Sequence, residues 1–188
     1  MFKPLKKLLS CNPSIKHGKL TGSIMLDLQL FTDVSVNSQS KVGYGAYLLV
    51  SEQNCSVEQL KNQVKTKRFE QTSSTKLELQ SLLWALNDTN TLAPTNELDL
   101  TIYTDCQNII SLPARQAHLE QTQFLTSKNK LLNHYLLYQE FYQLTSVLQC
   151  RFIKLAGHQR ASQKQWIDRV FSLVDKASRQ ALRAGKVE

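Results

Sequence analysis

Leu98-Asp-Leu-Thr-Ile-Tyr-Thr-Asp105 is the stretch on which the fold turns. Leu98, Leu100 and Ile102 alternate with Asp99, Thr101 and Tyr103, the period of two that marks a strand. The run closes on an acid, and Cys106-Gln107 then opens a helix. An earlier run is built alike: Leu26, Leu28 and Leu30 alternate with Asp27, Gln29 and Phe31, and it ends in Thr32-Asp33. As neighbours in one sheet, the two strands would set their terminal carboxylates side by side on one face. Like charges so close are unfavourable unless a cation sits between them. The pair therefore points to a divalent-metal site. Taken singly, each Asp is better explained as the end of a strand and the start of a turn.

The rest of the chain supplies partners for these strands. Strand 1 spans about residues 25–36, and Asn37–Lys41 is a polar turn. Gly43–Val50 is a second strand whose short link to the first implies a hairpin. Residues 51–63 are polar and read as a loop. Val64–Glu70 is a third strand, with Lys65, Lys67 and Arg68 forming a basic edge. Thr75-Lys-Leu-Glu78 fits a capping box, and Leu79, Leu82, Leu83 and Leu86 follow at helical spacing. Glu78 thus has two readings, a capping residue or an acid near the end of a buried helix. Asn87–Glu97 is a connection into the strand at Leu98. A helix starts near Cys106, with Pro113 in or just after its early turns. Residues 119–130 carry no clear pattern. Leu132–Leu148 is a helix with Leu137, Phe141, Leu144 and Leu148 on one stripe, and Cys150–Leu155 is a fifth strand. Ala156–Gln163 is a polar loop. The last helix spans about 164–183, with a stripe of Ile167, Val170, Phe171, Val174, Ala177 and Ala181. This order predicts one α/β domain, a five-stranded mixed sheet flanked by helices.

Composition narrows the function. The 188 residues are 41% hydrophobic, a globular value. Lys plus Arg is 23 against 15 Asp plus Glu, a formal charge of +8, which favours a polyanion: nucleic acid or an anionic membrane surface. No segment approaches the roughly 20 apolar residues of a membrane span. The opening MFKPLKKLLSC has Lys inside its only short apolar run and so lacks a signal-peptide core. Cys11, Cys55, Cys106 and Cys150 are scattered, the pattern of reduced thiols in a cytoplasmic protein. Residues 1–22 hold five Lys and no acid and read as a partly ordered basic arm, either touching phosphates or merely solvated. Residues 23–188 are then the folded domain.

Five short motifs stand in order: Phe31-Thr-Asp33, Ser74-Thr-Lys-Leu-Glu-Leu79, Ile102-Tyr-Thr-Asp-Cys-Gln107, Ala156-Gly-His158 and Val174-Asp-Lys-Ala-Ser178. Any one is weak, but four acids in order on strand, helix, strand and helix are a strong joint signal. The set resembles the type 1 ribonuclease H family, over about Leu26 to Arg183. The resemblance implies a ribonuclease H-like fold and an endonuclease that cuts the RNA strand of RNA–DNA hybrids. It implies two Mg²⁺ ions, with Mn²⁺ as a substitute. By this resemblance Asp33 bridges both ions, Glu78 and Asp105 hold one with it, and Asp175 holds the other. His158, on its loop, assists proton traffic or product departure. Ser73, Ser74, Thr75 and Gln107 match positions that touch the hybrid.

The chemistry suits these residues, since Mg²⁺ prefers carboxylates together with waters and phosphate oxygens. On the last helix, Asp168 stands at the family's usual spacing from His158, whereas Asp175 sits in the better local match. Asp175 is therefore the expected fourth acid. The sequence departs from the family at Val34, where a Gly is common, and residues 111–130 carry none of the Trp that many members have there. Two rivals stay open: a structure-specific DNA nuclease or exonuclease of the same fold, and a non-catalytic module binding nucleic acid or protein. All four acids being present speaks against the second. A monomer without a membrane partner is expected.

Overall fold

The computed structural model describes residues 26–51, 56–92, 98–155 and 165–185. The expected basic arm at 1–22 and His158 with its loop lie outside these residues. Five strands form one sheet in the order β3-β2-β1-β4-β5. They are β1 (Leu26–Asn37), β2 (Val42–Val50), β3 (Lys65–Phe69), β4 (Leu98–Thr104) and β5 (Gln149–Lys154). β1, β2 and β3 pair antiparallel, whereas β4 runs parallel to β1, and β5 to β4. The hairpin between β1 and β2 closes at Asn37, whose Oδ1 accepts from Gln39 N at 3.0 Å, and Lys41 takes a left-handed φ of 54°. The parallel strands need crossovers, and helices supply them. The helices are α1 (Val57–Lys61), α2 (Ser74–Asn90), α3 (Gln107–Gln121), α4 (Tyr135–Val147) and α5 (Trp166–Ala184).

Alternation along each strand separates two cores. Leu28, Leu30, Leu100 and Ile102 face α2, α3 and α4 and bury against Leu79, Leu82, Leu83, Leu86, Ile109, Leu112 and Phe141. The opposite phase, Phe31, Ala46, Leu48 and Tyr103, packs with Val170 and Val174 of α5. There the rings of Phe31 and Tyr103 stack at 4.8 Å. A buried Leu is worth roughly 1.5–3 kcal/mol, so the larger, Leu-rich core dominates the stability. Two glycines of β2 let α2 approach closely. A Cβ at Gly43 would run into Leu77, and one at Gly45 would stand 2.7 Å from Ser81 Cβ.

Several expectations are corrected. Residues 51–63 were expected to be a loop, yet α1 forms inside them, because Ser56 and Gln59 make a capping box and Leu60 is buried. The capping box expected at Thr75–Glu78 is not the helix start. Ser73 is the N-cap of α2, its Oγ accepting from Lys76 N, so Glu78 lies inside the helix with no capping duty. α2 also runs on to Asn90, past the expected start of the connection. α3 continues through Pro113 to Gln121. Beyond it, Leu125 and Leu131 form an isolated antiparallel bridge, with positive φ at Gln123, Phe124 and Asn129. This turn structure hid any period in the sequence. α4 begins at Tyr135, later than the expected Leu132, because His134 takes φ 65° and blocks earlier helix.

Candidate active site

The parallel ladder between β1 and β4 ends with Phe31 opposite Tyr103. Two residues further on, in the same phase, come Asp33 and Asp105. β1 continues past that ladder because β2 still pairs with it, Asp33 lying opposite Ala46. Asp33 is therefore only 8% exposed, whereas Asp105 follows the last residue of β4 and is open to solvent. Glu78 reaches the same place from the second turn of α2, and Asp175 from the middle of α5.

The electrostatics tie the four acids together. Burial first, then the charges of Asp105 and Asp175, push the Asp33 carboxyl up to about 7. Hydrogen bonds from the Val34 backbone and the Ser178 hydroxyl pull in the other direction without cancelling this. Glu78 is pushed up to about 8, again by burial first, then by Asp33 and Asp105. Burial also raises the Cys106 thiol, with Glu78 adding to it. Asp175 holds a cation of its own, Arg179 Nε at 2.8 Å from its Oδ1. The other acid of α5, Asp168, is occupied elsewhere: its Oδ2 accepts from Gln165 N at 2.9 Å and closes the helix N-terminus.

Four carboxylates that repel one another are a donor set suited to a hard divalent cation. Among the described residues no three or more His, Cys, Asp or Glu side chains stand close enough together to hold a metal ion as they are placed. An open rim of acids matches an ion that keeps waters and takes substrate phosphate oxygens as ligands. By the chemistry of their donor atoms these four carboxylates fit a hard divalent cation.

The residues expected to touch substrate sit beside this rim. Ser73, Ser74 and Thr75 are exposed at the N-terminus of α2, and Ser73 uses its hydroxyl as the cap. Gln107 is exposed at the start of α3, and its Oε1 accepts from Lys154 Nζ of β5. Sequence reasoning missed four features. Ser178, fully buried on α5, donates to Asp33 Oδ2 at 3.1 Å. It belongs to the quoted motif, and its place four residues after Val174 is the signal that marks it as inward-facing. Arg179 and Lys154 are the second and third. The fourth is an open groove of about 570 Å³ between α3, α4 and the 125–131 bridge. Arg115, Lys128 and Lys130 line it with Thr126, Ser127 and Asn133, and among the described residues no acid does.

Residues 26–179 match the RNase H family, most of the described chain, and the protein belongs to that family. The class is that of nucleases acting on RNA–DNA hybrids with divalent metal ions. No curated protein matches the chain. Among solved structures it is similar to LC9-RNase H1, a type 1 RNase H with the type 2 active-site motif. That likeness has 13% identity and a TM-score of 0.62, covering 84% of this chain and 72% of the other. The PFV RNase H domain is similar at 12% identity and a TM-score of 0.60, over 82% and 92% of the two chains. A foamy viral protease-reverse transcriptase in complex with dsDNA follows at 10% identity and 0.54, over 81% and 92%. At such identities the structural likeness speaks for the fold, and the five-stranded mixed sheet expected from sequence is the one observed.

Proposed function

We propose that this protein is an endoribonuclease that hydrolyses the RNA strand of RNA–DNA hybrids with two Mg²⁺ ions, Mn²⁺ serving as a substitute. The observation that carries the reading is Asp33. It is buried at the end of paired strands and feels the charges of both Asp105 and Asp175. A carboxylate so placed is the one that two ions would share. Glu78 and Asp105 would hold one ion with it, and Asp175 the other. Bound metal supplies an activated water and charge stabilisation at the leaving 3′ oxygen.

The chain's own groups do the rest. Ser74 and Thr75 offer hydroxyls at a helix N-terminus, where backbone N–H groups and the helix dipole favour a phosphate. Gln107 offers an amide to a base edge or a ribose 2′-OH, the group that separates RNA from DNA. The basic groove at Arg115, Lys128 and Lys130 gives the partner strand a positive track without sequence choice. Arg179 steadies Asp175 by their ion pair. His158 serves as a proton shuttle close to neutral pH. The protein works as a monomer in the cytoplasm, in a domain spanning 23–188 that follows the basic arm.

The test is cleavage of a labelled RNA–DNA hybrid beside duplex DNA, single-stranded DNA and duplex RNA, with and without Mg²⁺. Hybrid-only, Mg²⁺-dependent cutting of the RNA strand is expected, and Asp33→Asn abolishes it while the fold persists. Cleavage of duplex DNA with hybrid left intact would overturn the substrate assignment. Full Mg²⁺-dependent activity in Asp33→Asn would overturn the metal assignment.

A further inference from the structure

Helix α5 buries a line of three residues four apart, Val170, Val174 and Ser178. Two are apolar, as a helix packed on a sheet requires, but the third carries a hydroxyl that is 0% exposed. A buried hydroxyl is costly unless it is bonded. Ser178 Oγ has two acceptors in reach, Asp33 Oδ2 at 3.1 Å and the Asp175 carbonyl at 3.0 Å. A serine has one proton to give. The carbonyl bond is the ordinary back-bond of a helical serine and needs no partner outside α5. The carboxylate bond crosses from α5 to β1, between residues 145 positions apart in sequence, and it is charge-assisted, hence the stronger.

We propose that Ser178 is a positioning residue of the metal site: its hydroxyl fixes one oxygen of Asp33 and holds α5 in the register that sets Asp175 beside it. The inference rests on Asp33 and Asp175 being metal ligands. Among the described residues the Val34 backbone N–H also bonds the Asp33 carboxyl. An ionised carboxylate accepts about four bonds, so the serine and the backbone together fix its rotamer and leave lone pairs for a cation. Because Ser178 lies one turn beyond Asp175 on the same helix, the single bond sets both the first acid's orientation and the last acid's distance. Asp168 is about 10 Å further from Ser178 than Asp175 is, measured along the helix axis, and gains nothing from it.

The experiment is Mg²⁺ titration by calorimetry on the substrate-free protein, for wild type, Ser178→Ala, Ser178→Cys and Asp33→Asn, with melting temperatures measured in parallel. Alanine removes the hydroxyl, is a better helix former and leaves α5 able to fold. Cysteine restores the bulk with only a weak donor. Both variants are expected to bind Mg²⁺ about 10-fold more weakly, the usual cost of losing a group that orients a metal ligand. Hybrid KM should stay unchanged, and kcat should recover as Mg²⁺ is raised. Wild-type Mg²⁺ affinity in Ser178→Ala overturns the proposal, leaving Ser178 a helix back-bonding residue. Wild-type affinity in Ser178→Cys with loss in Ser178→Ala also overturns it, since bulk and not the hydroxyl would then matter. Wild-type affinity in Asp33→Asn instead overturns the ligand assignment beneath it.

Discussion

Helix α2 buries a broad face: Leu77, Leu79, Ser81, Leu82, Leu83, Ala85, Leu86 and Thr89 are all shut from solvent. Helix α5 is longer, yet among its residues only Val170, Val174 and Ser178 are buried. Each delivers one acid to the same end of the sheet. α2 holds Glu78 by the sheer extent of its apolar packing. α5 is a one-sided helix, and near its acid apolar contact gives way to polar fastening: Ser178 to Asp33, Arg179 to Asp175. Polar groups are the more directional fastener and the less robust one. The comparison suggests a division in which the core half of the site is set by folding and the α5 half by a few bonds.

The largest effect expected from this contrast is on α5. Asp175→Asn should abolish hybrid cleavage, while Asp168→Asn, whose acid closes the helix N-terminus, keeps it; a gel assay of both variants decides. The reverse outcome would reassign the fourth acid and shift the helix register by two turns. Next, in chemical denaturation, Leu82→Ala on α2 should cost about 2–5 kcal/mol, the range for a large buried side chain cut to Ala. Val174→Ala on α5 should cost only about 1–2 kcal/mol, since it removes one buried carbon fewer. Equal costs would erase the distinction between the two helices.

A smaller effect concerns pH. The folded Asp33 and Glu78 carboxyls stand at about 7 and about 8. The unfolded chain loses these protons near pH 4, so between there and the folded values the folded state binds more protons, and its stability falls as pH rises. Metal-free protein should therefore melt higher at about pH 5 than at about pH 8.5. Glu78→Gln should remove part of that fall, on the order of 2 kcal/mol, when melting curves are compared across the range. Asp168→Asn should cost least, about 0.5–1 kcal/mol of stability through its weakened cap. A flat melting profile in wild type would mean that the site carries no electrostatic load.

Most of the fold was legible because its signals are local. Alternation in Leu26–Asp33 and Leu98–Asp105, and the Leu stripe of α2, each follow from a single element's period. The pairing of β1 with β4 was legible as a condition, and the parallel register meets it. Glu78 stayed ambiguous because its sequence also fits a cap; only the actual N-cap at Ser73 releases it. Ser178 stands in the Val174–Ser178 motif, but its task is illegible in sequence, since its partner lies in another element far along the chain. The groove at Arg115, Lys128 and Lys130 was illegible for a different reason. It is shaped by left-handed residues at Gln123, Phe124 and Asn129, none of them a glycine that would have announced the turn.

The glycines of β2 have a bearing on how this chain can vary. Where α2 crosses the sheet, Gly43 faces Leu77 and Gly45 faces Ser81, with no room between for even a methyl group. Ser81 in turn lies 3.4 Å from Thr32, the residue before Asp33. The four positions 43, 45, 77 and 81 thus share one clearance, and Glu78 rides on the same helix between two of them. A larger residue at either glycine can be tolerated only with a smaller one opposite, so these sites are free to drift in pairs but not alone. Lineages of this sequence should carry the trace as correlated substitutions across the helix–sheet gap.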